Sequence, residues 1–193
     1  MALGKGSLWH RRAGILFSYT MGLSALISLV VARMPGHRND LLFCLGVFTL
    51  YLILAGNRAL TYKGGRKKQP DLLDYGLSAA MSVVAVWMLL QFALELPGDT
   101  EVNPLLGIFG GLGLFLSLAD LYGYRKLARS ATRWLQMHLG RMIGAYIAAV
   151  TAFLIAGINL DGLLYWVAPT VIGTAYIRFW KRRLQNKTKS QRV

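Results

Sequence analysis

The chain has 193 residues, is 55% hydrophobic and 16% charged, and still carries a formal charge of +14. Apolar and basic residues must therefore occupy separate stretches, which excludes an ordinary soluble domain. A nucleic-acid binder would share the charge but not apolar runs of this length. One cysteine, Cys44, excludes an intramolecular disulfide and any cysteine-based metal or iron–sulfur site.

Six apolar runs approach the roughly 20 residues that cross about 30 Å of hydrocarbon. They are Ala13–Ala32, Leu41–Ala55, Leu77–Leu94, Leu105–Ala119, Met142–Ile158 and Leu163–Ile177. Each predicts a helix, because a backbone without water must satisfy itself within the segment. The expectation is an all-α, six-helix transmembrane bundle forming one integral membrane domain over 1–193, with a basic tail over about 181–193.

The first run follows Arg11 and Arg12 and ends in Val30-Val31-Ala32, a passable signal-peptide cleavage site. Its length and the five runs behind it predict a retained helix instead. Gly14, Ser18 and Gly22 form a small-residue stripe along it. The second and fourth runs need the flanking residues Gly56–Leu60 and Leu121–Tyr124 to reach full length. Gly107, Gly110, Gly111 and Gly113 lie inside the apolar fourth run, which argues for helix packing and against a dinucleotide loop. The fifth run carries Gly140, Gly144, Ala148, Ala152 and Ala156 at every fourth position, a flat face that lets a neighbouring helix approach closely. Turn signals at Pro35-Gly36, Gly64-Gly65, Pro97-Gly98 and Asp161-Gly162 separate the runs.

Shifted by 64 residues, Leu41–Ala55 falls on Leu105–Ala119 with seven identities in fifteen positions, Gly46 on Gly110 among them. The chain thus reads as three helical hairpins, an arrangement that suggests packing about a common axis.

Charge sets the orientation. Segments 1–12, 57–76, 119–141 and 178–193 hold 20 Lys/Arg and 3 Asp/Glu, a net of +17, against −3 on the other side. Basic loops stay in the cytoplasm, so both termini are expected there. The basic loops and tail are expected to meet anionic lipid head groups, and no nucleic acid is expected as a partner.

No Asp, Glu, Lys, Arg or His falls in the middle third of any run, which argues against a charge-coupled pump. Ionisable groups gather at the basic end instead: His10, Arg58, Asp74, Asp120, His138 and Arg141. As interface anchors they would pair locally; as a site they would form a polar pocket open to the cytoplasm. His10 and His138, 128 residues apart, stand at equal depth and suit one haem b or one metal ion. Their helical phases differ, which sets the two imidazoles in different directions. No H-E-x-x-H or G-x-S-x-G motif is present, so the chain gives no support for an enzyme.

Lys5-Gly6, His10–Phe17, the block Trp134–Phe153 and Pro169–Thr174 resemble conserved blocks of a group of bacterial multi-pass membrane proteins that share a domain of unknown function. The resemblance implies the bacterial inner membrane and brings no activity. Members of that group often carry a further apolar helix ahead of the Lys-Gly block, whereas Met1 here stands just upstream of it. The expected function is a multi-pass membrane protein with a cytoplasmic-side polar site. The alternatives are a haem- or metal-binding protein on His10 and His138, a small permease, or an accessory subunit of a membrane complex.

Overall fold

A computed structural model of the chain describes residues 7–95, 104–128, 132–158, 160 and 163–190. The turn signals Pro97-Gly98 and Asp161-Gly162, the carboxylates Asp99, Glu101 and Asp161, and the side chain of Ala156 lie outside the described residues.

Six α-helices follow one another: α1 (Leu8–Val31), α2 (Asp40–Ala59), α3 (Leu72–Glu95), α4 (Pro104–Ala128), α5 (Arg133–Ala152) and α6 (Leu163–Ser190). Local chemistry explains several ends. Ser7 Oγ accepts from the His10 amide at 3.2 Å and Asn39 Oδ1 from the Leu42 amide at 3.0 Å, capping α1 and α2. Asp71 Oδ1 does the same for the Asp74 amide at 3.0 Å, opening α3. Gly36 (φ 78°) and Gly64 (φ 65°) supply the left-handed conformations that the first two connections need. A 3₁₀ segment, Leu60–Gly65, prolongs α2, and a π-helical turn, Phe153–Gly157, prolongs α5.

Among the described residues five helices, α1 to α5, are long and apolar enough to cross a membrane. The sixth predicted span does form a helix, of 28 residues, but α6 is not among those five. Pro169, Thr170, Thr174 and the tyrosines dilute its apolar half, and from Arg178 onward it is basic.

Consecutive helices pair as antiparallel hairpins, α1 with α2, α3 with α4 and α5 with α6. Close approach in the first two depends on the glycines that the 64-residue shift superposes. A Cβ on Gly46 would meet Ala25 O of α1 at 3.1 Å, and one on Gly110 would meet Ala85 O of α3 at 3.1 Å. The hairpins do not close around a shared axis, however. Helix α2 is the hub: it packs on α1, α3, α4 and α5, whereas α1, α3 and α5 form no interface with one another among the described residues.

The predicted stripes behave differently on α5 and α1. On α5, a Cβ at Gly144 would touch Leu52 of α2 at 3.3 Å, Ala148 is buried, and Ala152 packs against the core. At Gly140 the neighbour is instead the Lys181 side chain of α6. Of the three stripe residues on α1, only Ser18 touches another helix, its Oγ 3.4 Å from Asn57 Oδ1. Gly14 and Gly22 have nothing within 4 Å, so they form no packing seam. Ala25 is the one buried residue within α1; Phe17 and Met21 pack partly buried against the core, and Ile15, Leu16, Leu23, Leu26 and Ile27 are exposed.

Candidate ligand cleft at the basic end of the bundle

Alternation of the hairpins brings the start of α1, α3 and α5 and the end of α2, α4 and α6 to one end of the bundle. Two ionic clusters form there, and they differ in kind.

The first fastens α2 to α3. Asp74 is fully buried and accepts from Arg58 Nε at 2.8 Å, Tyr62 Oη at 2.5 Å, the Asp71 amide at 3.2 Å and Lys67 Nζ. Arg58 Nη2 also pairs with Asp71 at 2.6 Å, and Lys67 with Asp71 at 2.8 Å. Two cations face two carboxylates, and every buried polar atom in the cluster is satisfied. Hydrogen bonds from Lys67 and then Arg58 hold the Asp71 carboxyl well below the usual carboxylate range. This cluster is complete without a ligand.

The second cluster joins α2, α4 and α5, and it is incomplete. Asp120 Oδ2 accepts from Tyr51 Oη at 2.5 Å, and Asp120 Oδ1 from Arg141 Nη2 at 2.5 Å. Arg141 Nη2 also donates to Leu116 O at 3.0 Å. Asp120 is 6% exposed and Arg141 8%. Yet Arg141 Nε, a buried donor, has no partner. Such an orphan is unusual, because burying an unsatisfied charged donor costs on the order of 1–3 kcal/mol.

The pair also lies farther inside its helices than the apolar runs suggest. Helices α4 and α5 extend past those runs to Ala128 and back to Arg133. At 1.5 Å per residue, Asp120 and Arg141 each stand about 12 Å in from those ends.

A cleft of about 750 Å³ opens beside Arg141. Helix α4 lines it with Phe115, Leu116, Ala119, Asp120, Gly123 and Leu127, and α5 with Arg133, Gln136, Met137, Gly140 and Arg141. Helix α6 contributes Lys181 and Gln185. Gly140 makes room for Lys181, whose Nζ would lie 3.4 Å from a Cβ there. Three cations, Arg133, Arg141 and Lys181, thus face one carboxylate, Asp120, which is already shared with Tyr51. Among the described residues no carboxylate pairs with Lys181 or Arg133.

The remaining predicted site residues stand apart. His138 is half-buried, and its Nδ1 donates to Gly56 O at 2.9 Å, which leaves Nε2 as the basic nitrogen. His10 is exposed near the start of α1. Among the described residues no group of three or more His, Cys, Asp and Glu is placed to hold a metal ion. A haem or metal at this end would rest on the two imidazoles alone. Arg58 and Asp74 belong to the closed cluster, and Asp120 and Arg141 to the cleft.

The sequence singles out Asp120 and Arg141 among six candidate residues without pairing them, and it does not single out Tyr51, Lys181 or Gln185. Tyr51 reads as one more residue of an apolar run. Lys181 reads as the first residue of a basic tail, though its position in helical register with Gln185 was a usable signal.

Taken together, the bundle has the build of a multi-pass membrane protein with a ligand-sized cleft at one end. No protein-family model matches the chain, and neither a curated protein nor a solved structure does.

Proposed function

We propose that the protein is a six-span ligand-binding protein of the bacterial inner membrane, with both termini in the cytoplasm. Its working site is the cleft between α4, α5 and α6, and its ligand is anionic. One observation carries this reading: Arg141, about 12 Å inside the start of α5, is almost wholly buried, lines the cleft and keeps an unpartnered Nε. An ionisable group held that far inside a span is expensive to keep and marks a functional position. The segment charges of +17 and −3 support the orientation, and the resemblance of Trp134–Phe153 supports the bacterial family. The run Leu163–Ile177, packed antiparallel on α5, supports a sixth crossing, which brings Lys181 to the basic end.

The test is accessibility of single cysteines at Gln136 and Gln185 in a Cys44→Ala background. A membrane-impermeant maleimide should label both in inverted membrane vesicles and neither in intact spheroplasts. Labelling of Gln185→Cys from the outer face would remove the sixth crossing and the cytoplasmic C-terminus together.

A second reading, a b-type haem or metal ion between His10 and His138, draws support from the Nδ1 bond of His138 to Gly56 O. That bond is of the kind that orients metal-ligating imidazoles. An absorption spectrum and metal analysis of the purified protein test it, with loss of the signal in His138→Ala as the expected result.

A further inference from the structure

We infer that the cleft between α4, α5 and α6 is a binding site for one acidic phospholipid, which enters sideways from the bilayer. This rests on the cleft being an anion site. What it adds is the class of the anion and its route, and both follow from the shape of the walls.

The cleft is amphipathic along its length. At its outer end Arg133, Gln136 and Gln185 present a cation and amide groups, and Lys181, whose Nζ lies beside Gly140, stands level with Arg141 below them. At its inner end the α4 wall becomes Phe115, Leu116 and Ala119. From Leu127 to Phe115 that wall runs about 18 Å at 1.5 Å per residue. A free phosphate needs the cationic end alone and leaves the apolar end empty. A phospholipid matches both: its phosphate meets Lys181 and Arg141, and its upper acyl chain lies against Phe115 and Ala119, which are exposed in this structure.

The route follows from the packing. Helices α4 and α6 both flank α5, yet they form no substantial interface with each other among the described residues. The gap between them therefore opens toward the bilayer as well as toward the basic end, and a lipid can enter without leaving its leaflet. With three cations against one carboxylate, the cleft favours an anionic head group over a zwitterionic one. The cluster around Asp74 provides an internal contrast: it lies at the same end, but its two cations are balanced by two carboxylates and no buried donor in it lacks a partner, so it has little to offer a phosphate.

The experiment uses the full chain purified in a neutral detergent. Thermal unfolding is followed while phosphatidylglycerol, phosphatidylcholine or inorganic phosphate is added in separate arms. Phosphatidylglycerol should raise the melting temperature saturably, and the other two should not. Lys181→Gln, at a position outside the buried pair, should weaken the phosphatidylglycerol effect about fivefold, the size expected for one interfacial cation. Lys181→Arg should restore it. An equal response to phosphatidylcholine would overturn the acidic-lipid assignment. A response to inorganic phosphate as large as that to phosphatidylglycerol would overturn the lipid while sparing the anion site. No response to any arm would overturn both, and an unchanged effect in Lys181→Gln would remove the site from this cleft.

Discussion

Removing the Asp120 carboxylate strands the Arg141 guanidinium. In Asp120→Ala, Arg141 keeps only Leu116 O among the acceptors that it has now, and Tyr51 Oη loses its acceptor. Breaking a buried ion pair from one side costs about 3–5 kcal/mol, because the surviving charge remains out of water. A typical domain is stable by only about 5–15 kcal/mol, so this single change removes a large share. The double variant Asp120→Leu/Arg141→Met takes away both charges and fills similar volume. It should unfold within about 1 kcal/mol of the parent or be more stable, since well-packed apolar side chains commonly match a buried pair. The coupling between the two positions is then about 3 kcal/mol or more, far beyond the few tenths expected of independent sites. Equilibrium unfolding in mixed detergent micelles, run on parent, single and double variants, measures it. A cost below about 1 kcal/mol for Asp120→Ala would refute the reasoning, because it would show that water already solvates the pair.

Two further changes test the packing and the closed cluster. Gly46→Ala should cost about 1–3 kcal/mol by pushing α1 from α2, since its Cβ meets Ser28 Oγ at 2.5 Å and Ala25 O at 3.1 Å. Gly14→Ala, with nothing within 4 Å, should be neutral or gain up to about 1 kcal/mol of helix propensity in the same assay. For Asp71, the folded carboxyl is held below its usual range, chiefly by Lys67. Its contribution is therefore present above the unfolded value of about 4 and is lost as pH falls through the lowered folded value. The melting-temperature gap between parent and Asp71→Asn should stay constant from about pH 8 to pH 5 and close only on stronger acidification. A gap that closes near neutrality would contradict the pairing.

Much of this arrangement is legible in the sequence, and the parts that are not have physical reasons. Spans α1 to α5 are readable because hydrocarbon imposes one requirement, length of apolar helix, on each segment independently. The hairpin repeat is readable through Gly46 and Gly110, because close helix approach admits few residue types. The ends of α4 and α5 are not, since a run of apolar residues stops where polarity begins, while the helix continues through Leu127 and back to Arg133. Asp120 and Arg141 therefore sit about 12 Å inside their helix ends although they flank the apolar runs. The hub position of α2 is also invisible, because it depends on which faces pair across helices and not on any one pattern. For the same reason Gly14 and Gly22 carry a packing motif yet face open space. Tyr51 and Lys181 enter the site through that tertiary geometry; Tyr51 carries no local sign of it, and Lys181 only its register with Gln185.

The most direct measurement places a photoreactive benzoylphenylalanine at Gln136, on the α5 wall of the cleft, and irradiates the full chain in native bacterial membranes. Mass spectrometry of the purified protein then identifies what is attached. An adduct of acidic phospholipid, enriched well above its share of the membrane and diminished by Lys181→Gln, is the predicted result. Adducts in proportion to bulk lipid composition, unchanged by Lys181→Gln, would contradict the account.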